Sequence, residues 1–198
     1  MKSQTLVAFA LLAAISVPAL ARAVDVPGIR GEYLKSIADV QSKIVRLAEA
    51  MPEAKYSWRP GKGVRSVSEV YMHLAFANYI LPTFTGAKMP EGVSEDMETK
   101  VTEKAKVVEG LKQSFAFLNQ TITSTPDSAL DRPCKTFLGE MSVREVFLTT
   151  LTHEHEHLGQ SIAYARMNGV VPPWTADQQA ADAKKAAEQA AAKPADKK

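Results

Sequence analysis

The sequence predicts an all-α protein, a four-helix bundle with one long crossover between its second and third helices. Three observations predict it. Apolar residues recur at spacings of three and four through four separate stretches, the pattern of a helix that buries one face. Two of those stretches open on the same signal, Ser-Val-x-Glu, at Ser66 and at Ser142. A gap rich in Gly and Pro, residues 82–92, separates the second stretch from the third.

The first helix covers residues 29–50, with Ile29, Tyr33, Leu34, Ile37, Val40, Ile44 and Leu47 along one face, and Met51-Pro52 ends it. The stretch Trp58-Arg59-Pro60-Gly61-Lys62-Gly63 is a loop by composition. The second helix starts at a capping box, Ser66 to Glu69. There the serine oxygen takes a backbone N–H three residues on, and the glutamate reaches back to the serine's own N–H. It carries Val70, His73, Leu74, Ala77, Ile80 and Leu81 and finishes near Pro82. The crossover that follows reaches about 35 Å at roughly 3.3 Å per residue, enough to run the length of a bundle.

The third helix is expected as one piece over residues 94–123, burying Met97, Val101, Ala105, Val108, Leu111, Phe115, Leu118 and Ile122. Thr125-Pro126-Asp127-Ser128 breaks it. The fourth opens on the second capping box, Ser142 to Glu145, and runs through Phe147, Leu148, Leu151, Ile162, Ala163 and Tyr164 to Gly169, just before Pro172-Pro173. The shared Ser-Val-x-Glu-Val opening fits an old duplication, and two good caps explain it equally well.

Both ends fall outside this domain of residues 24–175. Residues 1–23 hold Lys2, an apolar stretch over residues 6–17 and Ala21-Arg22-Ala23, the layout of a signal peptide cut after Ala23 or after Ala21. The apolar stretch is too short to span a bilayer, and no cysteine stands beside the cut for a lipid anchor. The expectation is an exported protein, periplasmic or secreted, with no stable membrane anchor. Residues 176–198 are Ala, Lys, Gln and Asp without a bulky apolar side chain, a solvated low-complexity tail expected to be disordered, with some helical tendency.

Losing Lys2 and Arg22 takes the formal charge from +2 to 0, which gives no electrostatic ground for a nucleic-acid partner. The expected partner is a small-molecule substrate, with a homodimer left open. The lone Cys134 makes no intrachain disulfide and reads as a small buried hydrophobe, with Leu130, Phe137 and Leu138 around it.

The four histidines carry the chemistry. His73 stands in the apolar stripe of the second helix, and His153, His155 and His157 alternate with Glu154 and Glu156 in the fourth. Residues four apart lie nearly superposed on a helix, so His153 and His157 share a face while His155 points about 200° away from His153. Counted from their cap serines, His73, His153 and His157 all fall on one helical phase. A ligand on one helix and an i, i+4 pair on another is how bundles assemble a metal site. Three neutral ligands leave at least one coordination position open, as catalytic sites do. Glu154 and Glu156 flank the ligands as candidates for orienting a ring or for a general base, against the plainer reading of two solvated side chains. Tyr164, Arg166, Asn78 and Gln160 are lesser candidates for the pocket rim.

Tyr56-Ser-Trp-Arg-Pro-Gly61, Arg65-Ser-Val-Ser-Glu-Val-Tyr-Met-His73-Leu-Ala-Phe-Ala-Asn78, His153-Glu-His-Glu-His157-Leu-Gly-Gln160 and Tyr164-Ala-Arg166-Met-Asn-Gly169-Val-Val-Pro-Pro173 together resemble the DinB (DinB/YfiT-like) family of metalloenzymes. The resemblance covers most of residues 29–173. It implies the bundle with its crossover and a divalent metal ion, usually zinc or nickel, on His73, His153 and His157. It also implies relatives that include thiol-dependent transferases and isomerases acting on small electrophiles. Export and the extra His155 depart from that pattern, and export argues against a cytosolic thiol cosubstrate.

A rival uses the same letters, since His153-Glu154-His155-Glu156-His157 satisfies H-E-x-x-H, the zinc-protease signature. The longer form of that signature needs a further Gly and His where this chain has Gln160 and Ala163, and strands for a protease cleft are lacking. Two functions stay open: an exported metal-dependent hydrolase or transferase acting on a small molecule, and a noncatalytic metal-binding or stress-associated bundle.

Overall fold

The computed structural model describes residues 26–192. The expected signal peptide, residues 1–23, lies outside the described residues. Four long helices form the body: α1 (Gly28–Ala50), α2 (Val67–Thr83), α4 (Lys104–Ser124) and α5 (Val143–Met167). Between them come a one-turn α3 (Met97–Lys100) and a hairpin of β1 (Pro133–Thr136) and β2 (Gly139–Ser142), and α6 (Pro173–Ala192) follows α5.

The expected stripes build the core. Ile37, Ile44 and Leu47 of α1, Leu74 of α2, Leu111, Phe115, Leu118 and Ile122 of α4, and Phe147 of α5 are fully buried together, with Met72 of α2 joining them from outside the expected stripe. Each contributes about 1.5–3 kcal/mol of apolar transfer free energy. α1 and α2 each pack on both α4 and α5. Both capping boxes form, with Ser66 Oγ accepting from Glu69 N–H and Ser142 Oγ from Glu145 N–H, each at 3.3 Å. Tyr164, near the end of α5, donates to the carbonyl of Arg65, just ahead of α2, so these two helices run antiparallel.

Three segments differ from the sequence expectation. The single helix over residues 94–123 is broken: Val101 is extended at φ −97°, ψ 96°, and α4 starts only at Lys104. The break falls at the β-branched pair Val101-Thr102, which helices accommodate less well, and Lys104 Nζ fixes the new start by donating to the carbonyls of Glu49 and Met51. Ala105 is consequently exposed and Val107 is buried.

The region around Cys134 is an antiparallel hairpin rather than helix or coil, pairing Cys134 with Met141 and Thr136 with Gly139. Its turn closes because Gly139 takes φ +114° and Thr136 Oγ1 both accepts from Leu138 N–H and donates to the Gly139 carbonyl. Cys134 is buried as expected, whereas Phe137 and Leu138 project into solvent at the hairpin tip.

The tail expected to be disordered is helical through Ala192, and none of the residues of α6 is buried. Alanine and lysine supply that helix by propensity, and Trp174 in its first turn packs, half-buried, against the core. Among the described residues, no helix is long and apolar enough to cross a membrane.

Candidate metal centre

Antiparallel packing sets residue 73 of α2 level with residues 153–157 of α5. There the Nε2 atom of His153 lies 3.2 Å from Nε2 of His73 and 3.1 Å from Nε2 of His157. The three rings converge on one point, with donor atoms all within 4.8 Å of one another. His157 is buried, while His73 and His153 are half-buried and open onto a cavity, so the site sits on the flank of the bundle rather than in its core.

The outward ring nitrogens decide what the inward ones can do. His73 Nδ1 lies 2.9 Å from a carboxylate oxygen of Glu98 on α3, and a carboxylate only accepts, so Nδ1 carries the proton. On the other side, the Arg65 carbonyl also only accepts, so the Tyr164 hydroxyl donates to it at 3.0 Å and must itself accept from the Gln160 amide N–H, also at 3.0 Å. Gln160 therefore turns its oxygen to His157 Nδ1 at 2.8 Å, and that nitrogen is protonated too. Both Nε2 atoms are left as bare lone pairs facing His153.

The same bonds join into a chain. Arg65 donates through Nε to Glu98 at 2.6 Å, so side chain and carbonyl of one residue link the partners of His73 and His157. His153 has no such partner; its Nδ1 is buried and unbonded.

Burial, reinforced by the neighbouring His157, His73 and Arg65, pushes the imidazole of His153 down to about 4. Burial and Arg65 also lower His73, with Glu98 pulling the other way. Both rings are neutral at pH 7, the form that binds metal. Nitrogens about 2.0–2.1 Å from a tetrahedral zinc stand about 3.3 Å apart, close to the two spacings found here. His153 can donate one proton to one neighbour, which leaves the other lone pair opposed; a cation would satisfy all three. The donor set fits a metal ion.

The remaining candidates divide clearly. His155 is exposed and turned back onto the Leu151 carbonyl at 2.9 Å, outside the triad. Glu156 is exposed. Glu154 is corrected from a solvated or catalytic side chain to a core residue: it is fully buried, neither oxygen has a hydrogen-bond partner, and burial raises its carboxyl to about 9. Sealed from solvent and bonded to no histidine, it orients no ring and reaches no water to activate. That removes the water-activating glutamate from the H-E-x-x-H reading.

Asn78 is buried and donates to Ser114 on α4 rather than lining a rim, and Arg166 is exposed. Gln160 and Tyr164 do belong to the site, as the partners just described. Glu98 is the residue sequence reasoning missed, because it lies 25 positions from His73 in a segment expected to be plain helix.

A cavity of about 550 Å³ opens beside His73 and His153, within the usual size range of small-molecule sites. Arg65 and Glu98 line it together with apolar residues of α2 and the hairpin tip.

Comparison with known proteins places the fold. The family model of the DinB superfamily matches residues 36–161. The chain belongs to the DinB superfamily. No curated protein matches its sequence.

Among solved structures, the DinB fold is shared with a DinB-like protein from Bacillus cereus ATCC 10987 at 18% identity and a TM-score of 0.65, covering 73% of this chain and 95% of that one. A DinB-like protein from Bacillus subtilis follows at 16% identity and 0.57, covering 71% and 94%. A mycothiol-dependent maleylpyruvate isomerase is similar at 18% identity and 0.53, with 68% of this chain matching 60% of that one. At these identities the likeness concerns the fold.

Proposed function

We propose that this DinB-superfamily chain is an exported metal-dependent enzyme, a hydrolase or transferase that handles a small molecule beside zinc or nickel held by His73, His153 and His157. The observation that carries the reading is the convergence of three Nε2 atoms, two of them bare lone pairs, at the wall of a small-molecule-sized cavity. The amino-terminal signal layout supports export.

A divalent ion in such a site supplies Lewis-acid polarisation of a substrate oxygen. The chain's residues do the rest. Glu98 and Gln160 keep the outward nitrogens protonated and the inward lone pairs aimed, which fixes both tautomer and ring angle. Arg65 ties the two holders together, so that neither ring swings independently. Phe76, Ile80 and Leu81 of α2 exclude water from one wall of the cavity.

One observation favours the noncatalytic metal-binding alternative: neither Glu154 nor Glu156 is placed to act as a base. Elemental analysis of untagged protein, with His73→Ala and His153→Ala, tests the shared premise. Wild type is expected to hold about one ion per chain and both variants to lose it, as a three-ligand site requires. Full metal content in both variants would sink the reading. Turnover by the loaded protein of small esters or of electrophile–thiol pairs then separates enzyme from binder.

A further inference from the structure

Phe137 and Leu138 are 68% and 58% exposed, and Phe137 is the most exposed large hydrophobic side chain among the described residues. They are not loose. The turn that carries them is closed by two hydrogen bonds of Thr136 Oγ1, and the Phe137 ring stacks edge-on against Phe84 with centroids 5.4 Å apart. At the base of the hairpin, Arg132 donates to the Thr85 carbonyl at 2.6 Å, anchoring it to the end of α2. Both side chains line the histidine cavity together with Phe76, Ile80 and Leu81 of α2.

Holding two large apolar groups in water costs free energy unless something covers them in use. The charged lining narrows what that is. It consists of Arg65, Glu95 and Glu98, and Arg65 already bonds Glu98 through two of its nitrogens. No free cation among the lining residues awaits a phosphate or a carboxylate.

We propose that the cavity takes an uncharged amphiphile, such as a medium-chain ester, amide or ketone. Its apolar body lies between the hairpin tip and α2, and its single polar group points at the three Nε2 atoms. This deepens the enzymatic reading and rests on it for the polar end alone; the apolar end stands on the hairpin and α2.

The test is calorimetric titration of the zinc-loaded full chain with acetohydroxamic, hexanohydroxamic and octanohydroxamic acids. Each buried methylene is worth up to about fourfold in affinity, so the octano probe is expected to bind at least about thirtyfold tighter than the aceto probe. In Phe137→Ser/Leu138→Ser the ratio is expected to fall to within about threefold, since the methylenes lose their cover. Wild-type metal content and melting temperature identify that variant as folded. Equal affinity along the series in wild type, or the same gain in the variant, overturns the proposal even if acetohydroxamate binding shows the metal site to be real. If the chain loads no zinc, the metal reading fails and the apolar end is read by itself, with octanamide on metal-free protein. Phe137-dependent chemical-shift changes then support the pocket, and their absence overturns it.

Discussion

The carboxyl of Glu154 and the imidazole of His153 are chain neighbours pushed in opposite senses by burial. Glu154 keeps its proton in the fold up to about 9 and releases it near 4.5 when unfolded. The folded state therefore binds more protons between those values, and stability falls as pH rises through them by about 1.4 kcal/mol per pH unit. His153 titrates near 6.5 unfolded and near 4 folded, so its contribution is lost as pH falls from 6.5 toward 4. His73, lowered as well, adds to the slope of His153, and the two oppose Glu154 up to about 6.5, above which Glu154 dominates. Metal-free protein should accordingly hold or gain in urea midpoint from about pH 5 to 6.5 and decline toward pH 9. Glu154→Gln, which copies the neutral acid, should abolish the decline. A variant whose midpoints run parallel to wild type would remove Glu154 as its source.

At the scale of elements, the site depends on a helix that stops. A continuous helix through residues 94–123 would carry Glu98 along the axis of α4; the break at Val101 instead frees α3 to pack across α2, where Glu98 meets His73 at 2.9 Å. Glu98→Ala is expected to weaken metal affinity about 10–100-fold, the usual effect of removing a ligand's outer partner, with helical content unchanged. Glu98→Gln keeps an acceptor for Nδ1 and should recover part of that loss. Equal affinity in the alanine variant, measured by competition with a chelator, would show that α3 merely covers the bundle.

α2 and α5 were legible where they begin, because a capping box is written in four consecutive residues. The end of α3 was not: Val101-Thr102 weakens a helix without forbidding one, and the choice fell to Lys104 and the carbonyls at the end of α1.

For the whole molecule, the bundle carries the site and α6 stands beside it. The helix joins α1 through an exposed ion pair, Arg46 to Asp177 at 2.5 Å, and buries no residue. Ending the chain after Ala176 should cost less than about 1 kcal/mol, the range of exposed pairs, and leave metal content as in wild type. A larger loss by thermal melting would make α6 part of the fold.

The sequence by itself determined the helical class, both capped helix starts, the phase that groups His73, His153 and His157, and the exclusion of His155. These follow from spacings counted within each helix from its own cap, which geometry fixes at 3.6 residues per turn. Only the tertiary structure decided that Glu98 and Gln160 hold the rings, that Glu154 belongs to the core, and that Phe137 and Leu138 overhang the cavity. Each of those depends on where separate elements cross, and on whether a carboxyl ends in water or in a dry interior, which local spacing does not encode.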